Sequence, residues 1–290
     1  MSYDFGNNVS DFGSINLTEL NATASFLKRI DKKYLITEGQ LAAVLKDLKG
    51  EFNVLEIDSK RIFSYDNIYM DTPDYLFYNQ HENKIASRTK IRTRLYADSD
   101  LAFFEYKQKE AGVTKKFRYQ FPVGEHGTMT KGKVRFFEGV WQSMYYGEKA
   151  PKISPAIQTT YNRLTLVSKT GEERLTVDFN IQTLDLRDKK ATSTSLKNLV
   201  IIESKSMSAT CFSASVMKKH AIKKAKSCSK YSLGVVYSGL AEKWETFKNT
   251  MTEIKKIRTQ TIKNKSRKQS VKKVRKTLNS TFTTTALPVR

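Results

Sequence analysis

The chain has 290 residues, 51 Lys and Arg against 29 Asp and Glu, a formal net charge of +22 and 39% hydrophobic residues. That is enough apolar material for one large or two small cores, while no apolar run approaches the roughly 18 residues that a membrane-spanning helix needs. Two cysteines, Cys211 and Cys228, and three histidines argue against a disulfide scaffold and against a His-based zinc site.

The opening residues, MSYDFGNNVSDFG, lack the basic and apolar layout of a secretion signal, so a cytoplasmic location is the expectation. Thr37, Glu38 and Gln40, followed by Leu41, Val44, Leu45 and Leu48 at helical spacing and by Gly50, predict a capped amphipathic helix. A second helix is expected at Asp71-Thr72-Pro73, with Asp71 or Thr72 as cap and Pro73 in the first turn. In the strand predicted over 86–96, Arg88, Lys90, Arg92 and Arg94 share one face, and Ile91, Thr93 and Leu95 the other. The next two strands repeat the pattern. Phe103, Glu105, Lys107 and Lys109 oppose Phe104 and Tyr106, then Lys116, Arg118 and Gln120 oppose Phe117 and Tyr119. A helix is expected over 133–146. Arg174, Thr176, Asp178 and Asn180 then oppose Leu175, Val177, Phe179 and Ile181, and Glu203 and Lys205 oppose Val200 and Ile202. Further helices are expected over 213–225 and 233–247. From Lys255 onward there are twelve Lys and Arg and no acid, which predicts a basic segment without stable structure of its own.

A charged strand face usually faces solvent, but this one is dominated by Lys and Arg, whereas an ordinary surface mixes both signs. The amphipathic helices also need an apolar surface to cover, and the other strand face supplies it. The expected fold class is therefore α+β: an antiparallel closed β-barrel with a polar lumen and helices packed outside. Its lumen would be an electropositive tunnel for a polyanion, with the few carboxylates, Glu105, Asp178 and Glu203, available to a divalent cation that bridges phosphates.

Eight short motifs occur in a characteristic order. They are Arg29-Ile-Asp31-Lys-Lys33-Tyr34, Tyr69-Met-Asp71-Thr-Pro73, Ile91-Arg92-Thr-Arg94, Phe104-Glu105-Tyr-Lys107, Tyr161-Asn162-Arg163, Arg174-Leu-Thr-Val-Asp178, Ile202-Glu203-Ser-Lys205 and Ser229-Lys230-Tyr231-Ser232. In this order the chain, from about Asn21 to Gly239, resembles the catalytic domain of the VTC (vacuolar transporter chaperone) family, a CYTH-like triphosphate tunnel metalloenzyme that builds polyphosphate from the γ-phosphate of ATP. The resemblance implies phosphate-binding roles for Lys33, Arg92, Arg94, Lys107, Lys116, Arg163, Arg174, Lys205 and Lys230. Of these, Arg92, Arg94, Lys107 and Arg163 would hold ATP. It also implies that Glu203 binds Mn²⁺ or Mg²⁺. The family pattern has a further lysine where this chain has Ser227, with Lys226 adjacent. The expected organisation is an N-terminal extension (1–20), a tunnel domain (21–250) and a basic tail (251–290).

The same fold hosts triphosphatases and cyclases, so the reaction rests on the first strand. Hydrolytic relatives carry Glu-x-Glu-x-Lys there; Arg29, Asp31 and Lys33 replace one carboxylate by a cation, which disfavours a second metal that would activate water. An ATP-dependent polyphosphate polymerase is the leading expectation. A triphosphatase on the same tunnel is the alternative, and a nucleic-acid-binding module is a weaker one, since only Phe282 supplies an aromatic ring to the tail. ATP and polyphosphate are the expected partners, and the tail suits polyanions or an anionic membrane surface, giving peripheral membrane association without specific nucleic-acid recognition.

Overall fold

The computed structural model describes residue 6 and residues 9–23 and 29–259. Its strands are β1 (Gly13–Ile15), β2 (Ile30–Thr37), β3 (Phe52–Leu55), β4 (Ile62–Asp71), β5 (Arg88–Tyr96), β6 (Leu101–Glu110), β7 (Val113–Phe121), β8 (Ser154–Ser168), β9 (Glu173–Asp185), β10 (Thr194–Ser195) and β11 (Leu199–Ser206). Its helices are α1 (Leu17–Thr23), α2 (Glu38–Leu48), α3 (Leu76–Glu82), α4 (Lys131–Met144), α5 (Phe212–Lys219) and α6 (Lys230–Tyr237), and the chain is again helical over 248–259. The main sheet runs β2-β11-β9-β8-β4-β5-β6-β7 and is antiparallel along this whole path. Short β1 joins it through a parallel pairing with β3, which pairs with β8.

Register decides which residues share a face, because directly opposed residues in an antiparallel pair point the same way. Lys33 opposes Glu203, Lys205 opposes Arg174, and Arg163 opposes Asp178. On the other side of β4, Tyr69 opposes Arg92, Arg92 opposes Glu105, and Lys107 opposes Lys116. One charged face therefore continues across the sheet, as the alternation predicted.

The other face is apolar and covered. Tyr34, Ile36, Leu175, Val177, Val200 and Ile202 pack with Leu41, Val44, Leu45 and Leu48 of α2 and Val216 and Met217 of α5. The start of α2 is a capping box: Thr37 accepts from the Gln40 backbone N–H, and the Gln40 side chain returns the bond. Farther along, Met70, Ile91, Phe104 and Tyr106 pack with Phe137, Val140 and Trp141 of α4.

Two expectations change here. Among the described residues β2 and β7 share no backbone hydrogen bonds, so the sheet is not a barrel closed by hydrogen bonds. The free edge of β2 is met instead by the segment after α5: Tyr34 bridges to Lys224, and the Ala225 N–H donates to the Lys33 carbonyl at 2.8 Å. That pairing is why the helix expected over 213–225 ends at Lys219. The inner face is also not polar throughout. Leu35, Ile157, Leu199 and Ile201 lie on it beyond Lys33 and Glu203, and they pack with Tyr231, Leu233 and Val235 of α6 and with Phe247, Met251 and Ile254. Helix α6 thus fills one end of the curled sheet.

Helix α3 starts later than expected, after Pro73, and Asp71 caps it from outside by accepting the Phe77 and Tyr78 N–H groups at 2.9 and 3.0 Å. The N-terminal segment packs against the sheet through Val9, Phe12, Ile15 and Leu20. Residues 260–290, most of the expected tail, lie outside the described residues. Among the described residues no helix is long and apolar enough to cross a membrane.

Candidate functional site

A cavity of about 560 Å³ lies against the charged face. It is lined by eleven Lys and Arg side chains and two carboxylates, Glu105 and Glu203. All nine cations implied by the resemblance are among them: Lys33 from β2, Arg92 and Arg94 from β5, Lys107 from β6, Lys116 from β7, Arg163 from β8, Arg174 from β9, Lys205 from β11 and Lys230 at the start of α6. The alternation of each strand puts these residues inward, and the register aligns them.

Buried carboxylates organise the cations. Glu105, only 2% exposed, takes Arg92 at 2.5 Å, Lys116 at 2.7 Å and Arg118 at 3.0 Å, with Arg94 at 4.0 Å. Burial alone would raise its pKa, but Arg92, Arg94 and Lys116 hold it well below the carboxylate range. Asp178, equally buried, accepts from Nε and Nη2 of Arg163 at 2.6 and 2.9 Å and from the Lys230 ammonium. Its pKa falls to about 2, because Arg163 and Lys230 outweigh the burial that would raise it. These two carboxylates were candidates for a metal; in the structure they are the anchors of arginine and lysine side chains.

Aromatic rings complete the support. The Arg163 guanidinium lies over Tyr65 and Tyr161, 4.9 and 5.3 Å from the ring centroids, and the Lys230 ammonium lies 4.4 Å from the Tyr161 centroid. Arg94 donates to the Asn67 side chain at 2.9 Å.

Other cations are left without such partners. Lys107, Arg174 and Lys205 line the cavity and form no ion pair among the described residues. Burial and the charges of Arg174 and Arg29 lower Lys205 to about 8 despite Glu203. Lys116 is also lowered to about 8 by burial, partly offset by Glu105. Burial lowers Lys107 and Arg174 as well. The fold therefore holds more positive charge here than it neutralises, the condition for binding a polyanion.

Glu203 takes one ion pair, with Lys33 at 3.2 Å. Burial raises its pKa, while Lys33, Lys205 and Arg163 bring it well below the carboxylate range. Asp31 is engaged by Arg29 at 3.0 Å. Among the described residues no group of three or more His, Cys, Asp or Glu side chains comes together as a metal cluster.

The lining contains residues the motifs had not singled out as site residues: Arg29, Lys90, Tyr69, Thr114, Cys228 and Ser229. Lys90 and Arg29 had the right parity to be found. Ser229 did not, because its position depends on α6 turning back into the sheet. Lys226 is exposed and outside the lining, and the Ser227 carbonyl accepts the Thr250 hydroxyl, so neither supplies the lysine of the family pattern. The three histidines lie elsewhere: His220 pairs with Asp47 at 2.7 Å, His126 lies 3.5 Å from Asp66, and His81 packs edge-on against Phe247.

Solved structures resemble the chain at low identity. A Vibrio parahaemolyticus protein provisionally assigned as an adenylate cyclase superposes with a TM-score of 0.37 at 13% identity, covering 71% of this chain and 97% of its own. The PH1819 protein of Pyrococcus horikoshii OT3 gives 0.39 at 11% identity, covering 72% and 99%. A conserved hypothetical protein of Pyrococcus furiosus gives 0.31 at 11% identity, covering 76% and 98%. No curated protein matches the chain. The model of the VTC domain matches residues 28–239, the stretch that contains every expected lining cation, and the chain belongs to the VTC domain family.

Proposed function

We propose that the protein is an ATP-dependent polyphosphate polymerase, transferring the γ-phosphoryl group of ATP to the end of a polyphosphate chain. The observation that carries this reading is the imbalance of the cavity, eleven cations against two carboxylates, with Lys107, Arg174 and Lys205 left for an anionic ligand. Phosphoryl transfer needs in-line positioning and neutralisation of equatorial oxygens more than it needs a protein nucleophile. Arg92 and Arg163, fixed by Glu105 and Asp178, are preorganised to do this without reorganising during the reaction. The terminal phosphate of a chain is already ionised, so chain extension needs no general base.

Arg29 bears on polymer synthesis against hydrolysis. It occupies Asp31 and adds charge to the lining, so that strand offers no second free carboxylate to hold a metal with a reactive water. The donor set fits a divalent cation only when phosphate oxygens supply most of its ligands, as Mg²⁺-type sites allow. Glu203, the lining carboxylate least committed to cations, would hold Mn²⁺ or Mg²⁺, which would neutralise and orient the phosphates when bound.

Incubating purified protein with ATP and Mn²⁺ and resolving the products on a polyacrylamide gel tests the proposal. A ladder of polyphosphate is expected. Stoichiometric release of inorganic phosphate with no ladder would assign the site to a triphosphatase.

A further inference from the structure

Ser229 stands at the start of α6, on the filled end of the curled sheet, and faces the cavity together with Lys90. Its hydroxyl oxygen lies 2.9 Å from Lys90 Nζ. The backbone there is extended (φ −140°, ψ 124°), and the oxygen also accepts the Ser232 N–H at the head of the helix, which fixes its position. Lys90 forms no ion pair among the described residues, and burial followed by the charges of Lys107 and Lys33 brings it down to about 7. A large fraction of its side chain is then uncharged amine at neutral pH, able to take a proton. The cavity carboxylates do not compete for that role, since Glu105 and Glu203 are held ionised by cations and at low proton affinity. A hydroxyl within hydrogen-bond reach of an amine, inside a cavity of excess positive charge, is a nucleophile and base arranged around a phosphate site.

We propose that Ser229 is a phosphoryl acceptor, with Lys90 as its base, and that phosphoserine at this position is the first end from which a chain is built when no phosphate acceptor is present. This rests on the reading of the cavity as a triphosphate-donor site. In the step, Ser229 Oγ forms a bond to the γ-phosphorus and the bond from that phosphorus to the β,γ-bridging oxygen breaks. The nucleoside diphosphate leaves with that electron pair, and the serine proton passes to Lys90 Nζ. A hydroxyl needs this base, whereas a chain-end phosphate does not, so the Lys90–Ser229 pair serves initiation and the rest of the lining serves extension.

The test incubates the full-length protein with ATP labelled in the γ-phosphate and with Mn²⁺, separates protein from free chains under denaturing conditions, and locates the label by peptide mass. The expected result is an acid-stable, base-labile label on Ser229, absent in Ser229→Ala, retained in Ser229→Thr and reduced at least tenfold in Lys90→Met. Ser229→Ala should also lose synthesis from ATP alone and recover it on addition of tripolyphosphate as acceptor. Free chains with no label on the protein, or a label on another residue, would overturn the inference while leaving the polymerase standing. A single phosphate on Ser229, with no chain either free or attached to the protein, would uphold Ser229 as acceptor and overturn the polymerase; neither label nor chains would overturn both.

Discussion

Lys205 faces the cavity beside Arg174 and Arg29, and its lowered pKa, about 8, reports that burial and like charge work against its ammonium. Removing it relieves that repulsion in the empty protein and subtracts a contact from a bound polyanion. Lys205→Ala is therefore expected to melt at the same temperature or higher, while its affinity for tripolyphosphate falls about tenfold, the equivalent of about 1.4 kcal/mol. A lower melting temperature with unchanged affinity in calorimetry would mean that Lys205 supports the fold instead. The same charges set opposite pH responses. Lys90, at about 7, and Lys116 and Lys205, at about 8, lie below their unfolded value near 10.5. Between those limits the unfolded chain binds more protons than the native one, so stability of the ligand-free protein rises with pH over 7–9. Binding of phosphates favours the ammonium forms of Lys116 and Lys205, so affinity falls over the same window and binding at pH 8 takes up protons at these two lysines. Thermal melts, and binding heats measured in buffers of different ionisation enthalpy, check both signs. Proton release on binding would contradict the assignment of these lysines to the anion site.

Helix α6 is the element on which the cavity depends most. It lies so close to β8 and β9 that a Cβ on Gly234 would stand 2.4 Å from Ile157 Cγ2 and 2.6 Å from Thr183 Oγ1. Both neighbours are β-branched side chains on buried strands, with little freedom to yield. Gly234→Ala is expected to cost about 1–3 kcal/mol by overpacking. It should also weaken tripolyphosphate binding, because Lys230 moves with the helix. Denaturant unfolding and binding titration measure the two effects, and a neutral result in both would show that α6 does not sit rigidly on the sheet. Little of this helix placement was legible in the sequence. Strand faces were legible because period-2 alternation is local: Arg92 and Arg94 against Ile91 and Thr93 need only the chain itself. The capping box at Thr37 and Gln40 is local too. By contrast, the end of α5 is set by a backbone pairing of Lys224 with Tyr34 and of Ala225 with Lys33 in β2, far away in the sequence, and no local propensity at Lys219 announces it.

At the scale of the whole molecule, composition predicted charge correctly but not where packing ends. The alternation of Lys and Arg foretold an electropositive interior, whereas closure of the sheet depends on whether β2 and β7 meet, which the pattern within each strand cannot encode. The carboxyl-terminal boundary poses the same problem, because a basic segment from Lys255 hides an apolar stripe. Met251, Ile254 and Ile257 recur at helical spacing, are buried, and pack into the cluster that contains Tyr231 and Leu233. A chain cut after Glu253 loses Ile254 and Ile257, each worth about 1.5–3 kcal/mol on burial, against a total stability of about 5–15 kcal/mol for a protein domain. A chain cut after Thr259 keeps both and loses only 260–290, which carry nine Lys and Arg and no acidic residue. The first truncation is expected to melt well below the full chain and to bind tripolyphosphate poorly, since the filled end of the sheet is disturbed. The second is expected to match the full chain in melting and in tripolyphosphate affinity. Its attachment to anionic vesicles and long polyphosphate should weaken, and the salt dependence of that attachment should flatten as fewer counterions are released. Melting curves and a salt series on the three proteins separate packing from charge. Equal melting of both truncations would exclude a structural role for Ile254 and Ile257, and a loss of tripolyphosphate affinity in the chain ending at Thr259 would make residues 260–290 part of the site itself.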